Sequence, residues 1–247
     1  MAFSLKEVTN RLRANFAQQY MVEIMGKADS VFEIIGPIMI GPSSSHTAAA
    51  VRIGQISLAI LGEPVKEAII QLHGSYALTG KGHGSDKAII AGLLGYDAAD
   101  ERIKDSLAIA KEQGMKIKFQ KVELGDDYHP NTVRLLIAGP SGMHFEITAI
   151  SVGGGNISIV ELNGLSVQIS GEYHTLITIH SDRPGIVAKA TSIIAQHNVN
   201  ISIMNLSRQR RGGLAAMAIE MDQPLPPESI KELEDKAQIV RIISPIY

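Results

Sequence analysis

Thr175-Leu176-Ile177-Thr178-Ile179-His180-Ser181-Asp182-Arg183-Pro184-Gly185 decides how the last third of the chain folds. Five β-branched or apolar residues, Thr175 to Ile179, predict a strand over 175–180, and Asp182 to Gly185 has the composition of a tight turn. Beyond it Ile186, Ala190, Ile193 and Ile194 recur on one helix face. Strands are predicted over 200–206 and 214–221, joined across a turn at 210–213. A helix opened by Pro226-Pro227 and a strand over 239–243 follow. The order βαββαβ is the ferredoxin-like split unit, and its start is placed near Gly171, giving a unit over 172–247.

Upstream, helices and strands come in separate runs. Ala49, Ile53, Ile56 and Ile60 share one helical face that stops at Gly62. A strand over 64–72 precedes helices over 87–95 and 103–113, the latter ending at Gly114. Strands over 116–122, 132–138, 143–152, 157–162 and 167–170 then dominate, with a turn at Gly153-Gly154-Gly155. Such segregation predicts an α+β class rather than a parallel α/β sheet. Residues 1–28, with Leu5, Val8, Leu12 and Phe16 at helical spacing, form an amphipathic extension ahead of a domain over 29–171.

Composition excludes several functions. A chain of 247 residues is long enough for two domains with their own cores. The net charge of −2 offers nucleic acid no electrostatic foothold, and the densest basic stretch, Arg208 to Arg211, is interrupted by Gln209. Cysteine is absent, so no disulfide, thiolate nucleophile or cysteine-held cluster is built from this chain alone. No apolar run reaches the roughly 20 residues of a membrane helix. The first residues lack a secretory pattern, and Glu7 and Glu23 argue against a transit peptide; the expectation is cytoplasmic.

Two stretches carry candidate chemistry. Gly41-Pro42-Ser43-Ser44-Ser45-His46-Thr47 and Gly80-Lys81-Gly82-His83-Gly84-Ser85-Asp86 each lead into an apolar helical pattern. Helix starts with unpaired N–H groups, flanked by hydroxyls, suit a small anion such as a carboxylate. The first stretch reads either as a substrate-binding set, Ser43, Ser44, Ser45, His46 and Thr47, or as an ordinary N-cap, which needs only one hydroxyl. In the second, the spacing is neither a dinucleotide fingerprint nor a P-loop. It reads as a tight loop whose glycines leave the His83 imidazole exposed, either for proton transfer or as a plain loop histidine. His129-Pro130-Asn131-Thr132 reads as a ligand-facing turn or as an Asx-type turn before a strand.

The βαββαβ unit with Asp182-Arg183-Pro184-Gly185 after its first strand resembles the ACT domain, a regulatory module that binds amino acids between paired copies. Joined to Gly41–Thr47 and to the stretch Gly74-Ser75-Tyr76-Ala77-Leu78-Thr79-Gly80 through Ala88, the chain resembles the beta-chain family of the iron–sulfur-dependent L-serine dehydratases. The resemblance covers about Val31 to Tyr247. It implies an N-terminal fold similar to the allosteric substrate-binding domain of some phosphoglycerate dehydrogenases. It also implies a separate alpha chain whose cysteines hold a [4Fe-4S] cluster, L-serine as substrate, and self-association through the ACT unit. By the same resemblance His83 is a catalytic acid or base with Ser85 and Lys81 beside it. His129 and Asn131 belong to a regulatory anion site, and Asp182, Gly185, Asn200 and Ile201 to an effector site, unless the ACT unit serves only to dimerise. A stand-alone amino-acid sensor is the competing expectation.

Overall fold

Nearly every side of the helix α1 (Ala49–Leu61) is buried: Ala49, Ala50, Val51, Ile53, Ile56, Ile60 and Leu61 are all fully enclosed. A helix apolar on all sides belongs in the middle of a structure rather than on its surface. The computed structural model describes residues 37–234 and 237–247, so the expected extension over 1–28 lies outside the described residues.

Around α1 stand two sheets. The first has the order β2-β1-β3-β4-β5-β6, from β1 (Glu67–Leu72), β2 (Lys116–Lys121), β3 (Thr132–Ala138), β4 (His144–Gly153), β5 (Asn156–Leu162) and β6 (Leu165–Ile169). Helices α2 (Gly74–His83), α3 (Ser85–Leu93) and α4 (Ser106–Glu112) lie between β1 and β2, and that long crossover is what lets the pair run parallel. From β3 onward the strands are antiparallel neighbours. Val133, Leu135, Ile137, Phe145 and Ile147 face the helices. On the other face Arg134 donates to Thr148 Oγ1 at 3.3 Å and to the Tyr128 hydroxyl at 3.2 Å, the alternation of a sheet with one wet side.

The second sheet has the order β10-β7-β9-β8, from β7 (His174–Ser181), β8 (Ile201–Arg208), β9 (Leu214–Met221) and β10 (Ile239–Ile243), with helices α5 (Ile186–Gln196) and α6 (Glu228–Glu234). This is the ferredoxin-like arrangement expected, and the class is α+β. Period-two alternation divides the sheet's residues between two cores. Leu176, Met217, Ile219 and Met221 pack with Ala190, Ile193 and Ile194 of α5. Ile177, Ile179, Ala216, Ala218 and Ile243 join the core around α1.

That second contact places polar groups between the sheets. Arg241 of β10 donates from Nε to the Ile60 carbonyl at 3.0 Å and from Nη2 to Leu61 at 3.3 Å, closing the end of α1 where carbonyls lack partners. Gly62, at φ +77°, turns the chain away there. Glu220, fully buried, accepts from Ser170 N at 2.6 Å and Ser170 Oγ at 2.8 Å, and burial raises its pKa. Tyr247 lies under the Arg52 guanidinium, 3.9 Å from ring centre to carbon. No helix among the described residues is long and apolar enough to cross a membrane.

Two segments depart from the sequence reading. The glycine-rich stretch from Gly80 is not a loop: residues 74–83 form the continuous helix α2, and only Gly84, at φ +71°, breaks it before α3 begins at Ser85. Gly80 and Gly82 sit at helical φ and are tolerated at a modest entropic cost. The third predicted helix is in fact a 3₁₀ turn over Glu101–Asp105 running into α4.

Candidate active site

Ser43 is extended, at φ −146°, and its hydroxyl accepts from His46 N at 3.3 Å, the geometry of an N-cap. The residues that follow, Ser44–Ala48, form a single wide π-helical turn that runs into α1 without a break. Such turns occur mostly as local bulges in helices, frequently at functional sites. Gly41 backs it closely: a Cβ there would lie 2.3 Å from Thr47 Oγ1.

The second motif meets this turn at the joint between α2 and α3. Tyr76 is fully buried and its hydroxyl donates to the Ser45 carbonyl at 2.6 Å. Burial keeps the phenol protonated well above its ordinary range, so it remains a donor at any working pH. Thr47 Oγ1 donates to the His83 carbonyl at 3.4 Å. The His46 ring lies between two others, with its centroid 4.9 Å from Tyr76 and 5.0 Å from His83. Its Nε2 is 3.1 Å from Ser75 Oγ and its Nδ1 is 3.4 Å from Ser43 Oγ. Burial first, and the neighbouring His83 second, lower the pKa of His46, so its ring stays uncharged near neutral pH.

Between the motifs opens a cleft of about 440 Å³, lined by Gly41, Pro42, Thr47, Lys81, His83 and Asp86 among others. His83 is half-buried rather than exposed, because it ends a helix packed against the first motif instead of sitting in a free loop. Its Nδ1 is buried and makes no hydrogen bond within the chain. Ser85 is fully buried, its hydroxyl likewise unpartnered and not bonded to His83, while Lys81 is exposed at the cleft.

The structure thus brings together Ser43, His46, Thr47, Lys81 and His83. Ser44 and Ser45 lie half-buried in the same π-turn. Two residues to which sequence reasoning gave no role, Ser75 and Tyr76, supply the bonds that join the motifs. Ser75, Thr79 and His83 recur every fourth residue, a signal open to view once the stretch is read as a helix.

His129 and Asn131 stand in the turn before β3. There His129 Nδ1 accepts from Asn131 N at 3.1 Å, the His129 carbonyl accepts from Thr132 Oγ1 at 2.5 Å, and burial lowers the pKa of His129. In the second sheet's unit Asp182 accepts from Arg208 Nη1 at 2.9 Å and Gly212 N at 3.0 Å. Both bonds hold its carboxyl below the usual range. Gly185 opens α5 at φ +93°, Asn200 donates to Asp222 at 2.8 Å, and Ile201 begins β8 half-buried.

Residues 30–161 match the serine dehydratase beta chain family, and residues 174–238 match the ACT domain. The chain belongs to the serine dehydratase beta chain family. As a member of that family it is 43% identical to the probable L-serine dehydratase, beta chain, of Bacillus subtilis (strain 168), over 87% of this chain and 97% of that one. It is 38% identical to the L-serine dehydratase, beta chain, of Peptoniphilus asaccharolyticus, over 82% of this chain and 90% of the other. A D-3-phosphoglycerate dehydrogenase of Bacillus subtilis is 26% identical over 77% of this chain and 36% of its own length.

The donor set of this beta chain does not fit an iron–sulfur cluster. Cysteine is absent from the sequence, and among the described residues no three His, Asp or Glu side chains converge as metal ligands.

Proposed function

We propose that the chain is the beta subunit of an L-serine dehydratase, a lyase converting L-serine to pyruvate and ammonia. In this reading it completes a substrate pocket whose [4Fe-4S] cluster is held by a cysteine-bearing alpha chain. The observation that carries it is the His46–His83 pair at the junction of the two motifs, in a chain whose named relatives are dehydratase beta chains. Elimination of water from serine needs loss of the Cα proton and departure of the β-hydroxyl, for which a cluster on the alpha chain would supply a Lewis acid. This chain contributes binding and proton handling.

His83 is assigned the base, with Lys81 as partner for the substrate carboxylate and Ser85 buried behind the helix joint. Burial and the neighbouring His83 lower the pKa of His46, which favours an uncharged ring beside the assigned base. Ser43, Ser44, Ser45 and Thr47 offer hydroxyls at the start of α1.

Leu78 is 83% exposed and shares a face of α2 with Lys81 and Gly82, which gives the alpha chain an apolar surface beside the cleft. Regulation is assigned to His129 and Asn131 and to Asp182, Gly185, Asn200 and Ile201. At the latter site an amino acid's ammonium displaces Arg208 from Asp182. Self-association uses the edge strand β8, where Met204 and Leu206 are 42% and 46% exposed. The division of roles falls near Gly171, in a protein of the cytoplasm.

The test is reconstitution. Alone, the chain forms no pyruvate from L-serine; mixed anaerobically with a cysteine-bearing partner chain it does. Full activity of the isolated, iron-free chain refutes the proposal.

A further inference from the structure

Ser75 is anchored in three directions. Its backbone N–H donates to the Pro130 carbonyl at 2.8 Å, its own carbonyl accepts from Thr79 Oγ1 at 2.8 Å, and its side-chain oxygen lies 3.1 Å from His46 Nε2. The preceding residue makes the first bond possible. Gly74 sits at φ +54°, and a Cβ there would fall 2.3 Å from the Pro130 carbonyl oxygen, a backbone atom that cannot rotate away. On the other side of the same turn His73 N donates to the Thr132 carbonyl at 3.1 Å. The turn at residues 129–132 is therefore stapled to the first residues of α2, the helix that ends at His83.

An imidazole flanked by hydroxyls on both nitrogens is held in one ring plane in either tautomer, because each hydroxyl can accept from a protonated nitrogen or donate to a bare one. Ser43 takes one side of His46 and Ser75 the other. Removing Ser75 leaves the ring held only by the longer contact at 3.4 Å and by packing.

We propose that Ser75 is a positioning residue: its hydroxyl holds the ring plane of His46, and through His46 the placement of His83, while its backbone ties that arrangement to the Pro130 turn. A displacement of the turn reaches the histidine pair through the start of α2, where Ser75 is bonded both to the turn and to His46. The proposal deepens the reading of His83 as base and rests on that reading only in its kinetic arm.

The test uses the intact chain with ¹⁵N-labelled histidine, its ring signals assigned by single His→Gln replacements. Ser75→Ala removes the hydrogen bond at His46 Nε2, so it moves the ring-nitrogen signals of His46 and perturbs those of His83. Ser75→Thr, which keeps the hydroxyl, restores both. Gly74→Ala, which touches neither ring and forces α2 away from Pro130, moves the His46 signals as well. In the pair reconstituted with the cluster-bearing chain, Ser75→Ala lowers kcat by roughly ten- to a hundredfold with KM little changed. Unaltered His46 signals in Ser75→Ala, or a change that Ser75→Thr does not restore, overturns the proposal. The nuclear resonance arm needs no turnover, so an inactive wild-type pair counts against the dehydratase reading and leaves this one standing.

Discussion

Gly92→Ala tests whether the two motifs are held in register by the crossing of the helices behind them. A Cβ at Gly92 of α3 would lie 2.0 Å from the Val51 carbonyl oxygen of α1, and 2.8 Å from Gln55 N and Gly54 Cα. Gly54 is the reciprocal position, since a Cβ there would meet the Ile89 carbonyl oxygen at 2.4 Å. Every blocking atom is backbone, so no side chain can turn aside. Ordinary contact begins near 3.4 Å, and the helices must part by more than an ångström.

Forced insertion of a methyl group into packed structure costs about 1–3 kcal/mol, and the rigid surroundings place this case at the upper end. The functional cost is larger than the structural one. The π-turn that runs into α1 carries His46 and Thr47, and α3 begins two residues after His83, so spreading the pair spreads the histidines. A misplacement of about 1 Å is enough to cost a hundredfold in rate. The assay is the urea midpoint of the chain together with pyruvate formation by the reconstituted pair. Gly82→Ala is the control: nothing lies within 4 Å of its added Cβ, and in a helix it stabilises by about 0.5–1 kcal/mol. A Gly92→Ala chain with wild-type midpoint and rate refutes the reasoning.

Three further outcomes are expected. His83→Gln lowers turnover of the pair at least about a hundredfold, the usual size of an acid–base contribution, while the chain's melting temperature holds, because Nδ1 makes no bond within the chain. Tyr76→Phe keeps the ring against His46 but strips the Ser45 carbonyl of its donor, and urea titration records a loss of about 1–3 kcal/mol. Glu220→Gln stabilises at pH 8 and not at pH 4. Burial raises the native pKa of Glu220, so above the ordinary value of 4.5 the folded chain keeps a proton that the unfolded chain has released. Stability therefore falls as pH rises through that window and stays reduced beyond it. Glutamine has no such proton and retains the acceptor for Ser170 N. Equal effects at both pH values, measured by denaturant unfolding, contradict this assignment.

The strands were legible because their signal is local. Strand bounds 132–138, 214–221 and 239–243 coincide with β3, β9 and β10, where β-branched or apolar residues pack a sheet face on at least one side. The helix α1 was legible for the same reason, its apolar residues ending at a glycine suited to φ +77°. What periodicity could not show is α2. Of its ten residues only Tyr76 and Gly80 are buried, Leu78 points to solvent, and three glycines dilute the pattern that marks a helix. Its stability comes from outside itself: the staple to Pro130, the Tyr76 bond to Ser45 and the packing of His46.

The same fact explains why the candidate site was visible in outline and misread in detail. Hydroxyls and histidines declare themselves by type, so the two motifs could be paired from their text alone. Whether a histidine among glycines is a free loop residue or the last residue of a helix depends on contacts between distant segments, such as Thr47 with the His83 carbonyl, 36 residues on. A loop would leave His83 to find its orientation on binding. A helix end clamped by Thr47, facing a ring that two hydroxyls and a tyrosine hold still, presents the imidazole already oriented. Glycine in such a helix then leaves open space: Gly82 lines the cleft without a side chain, and nothing lies within 4 Å of a Cβ added there.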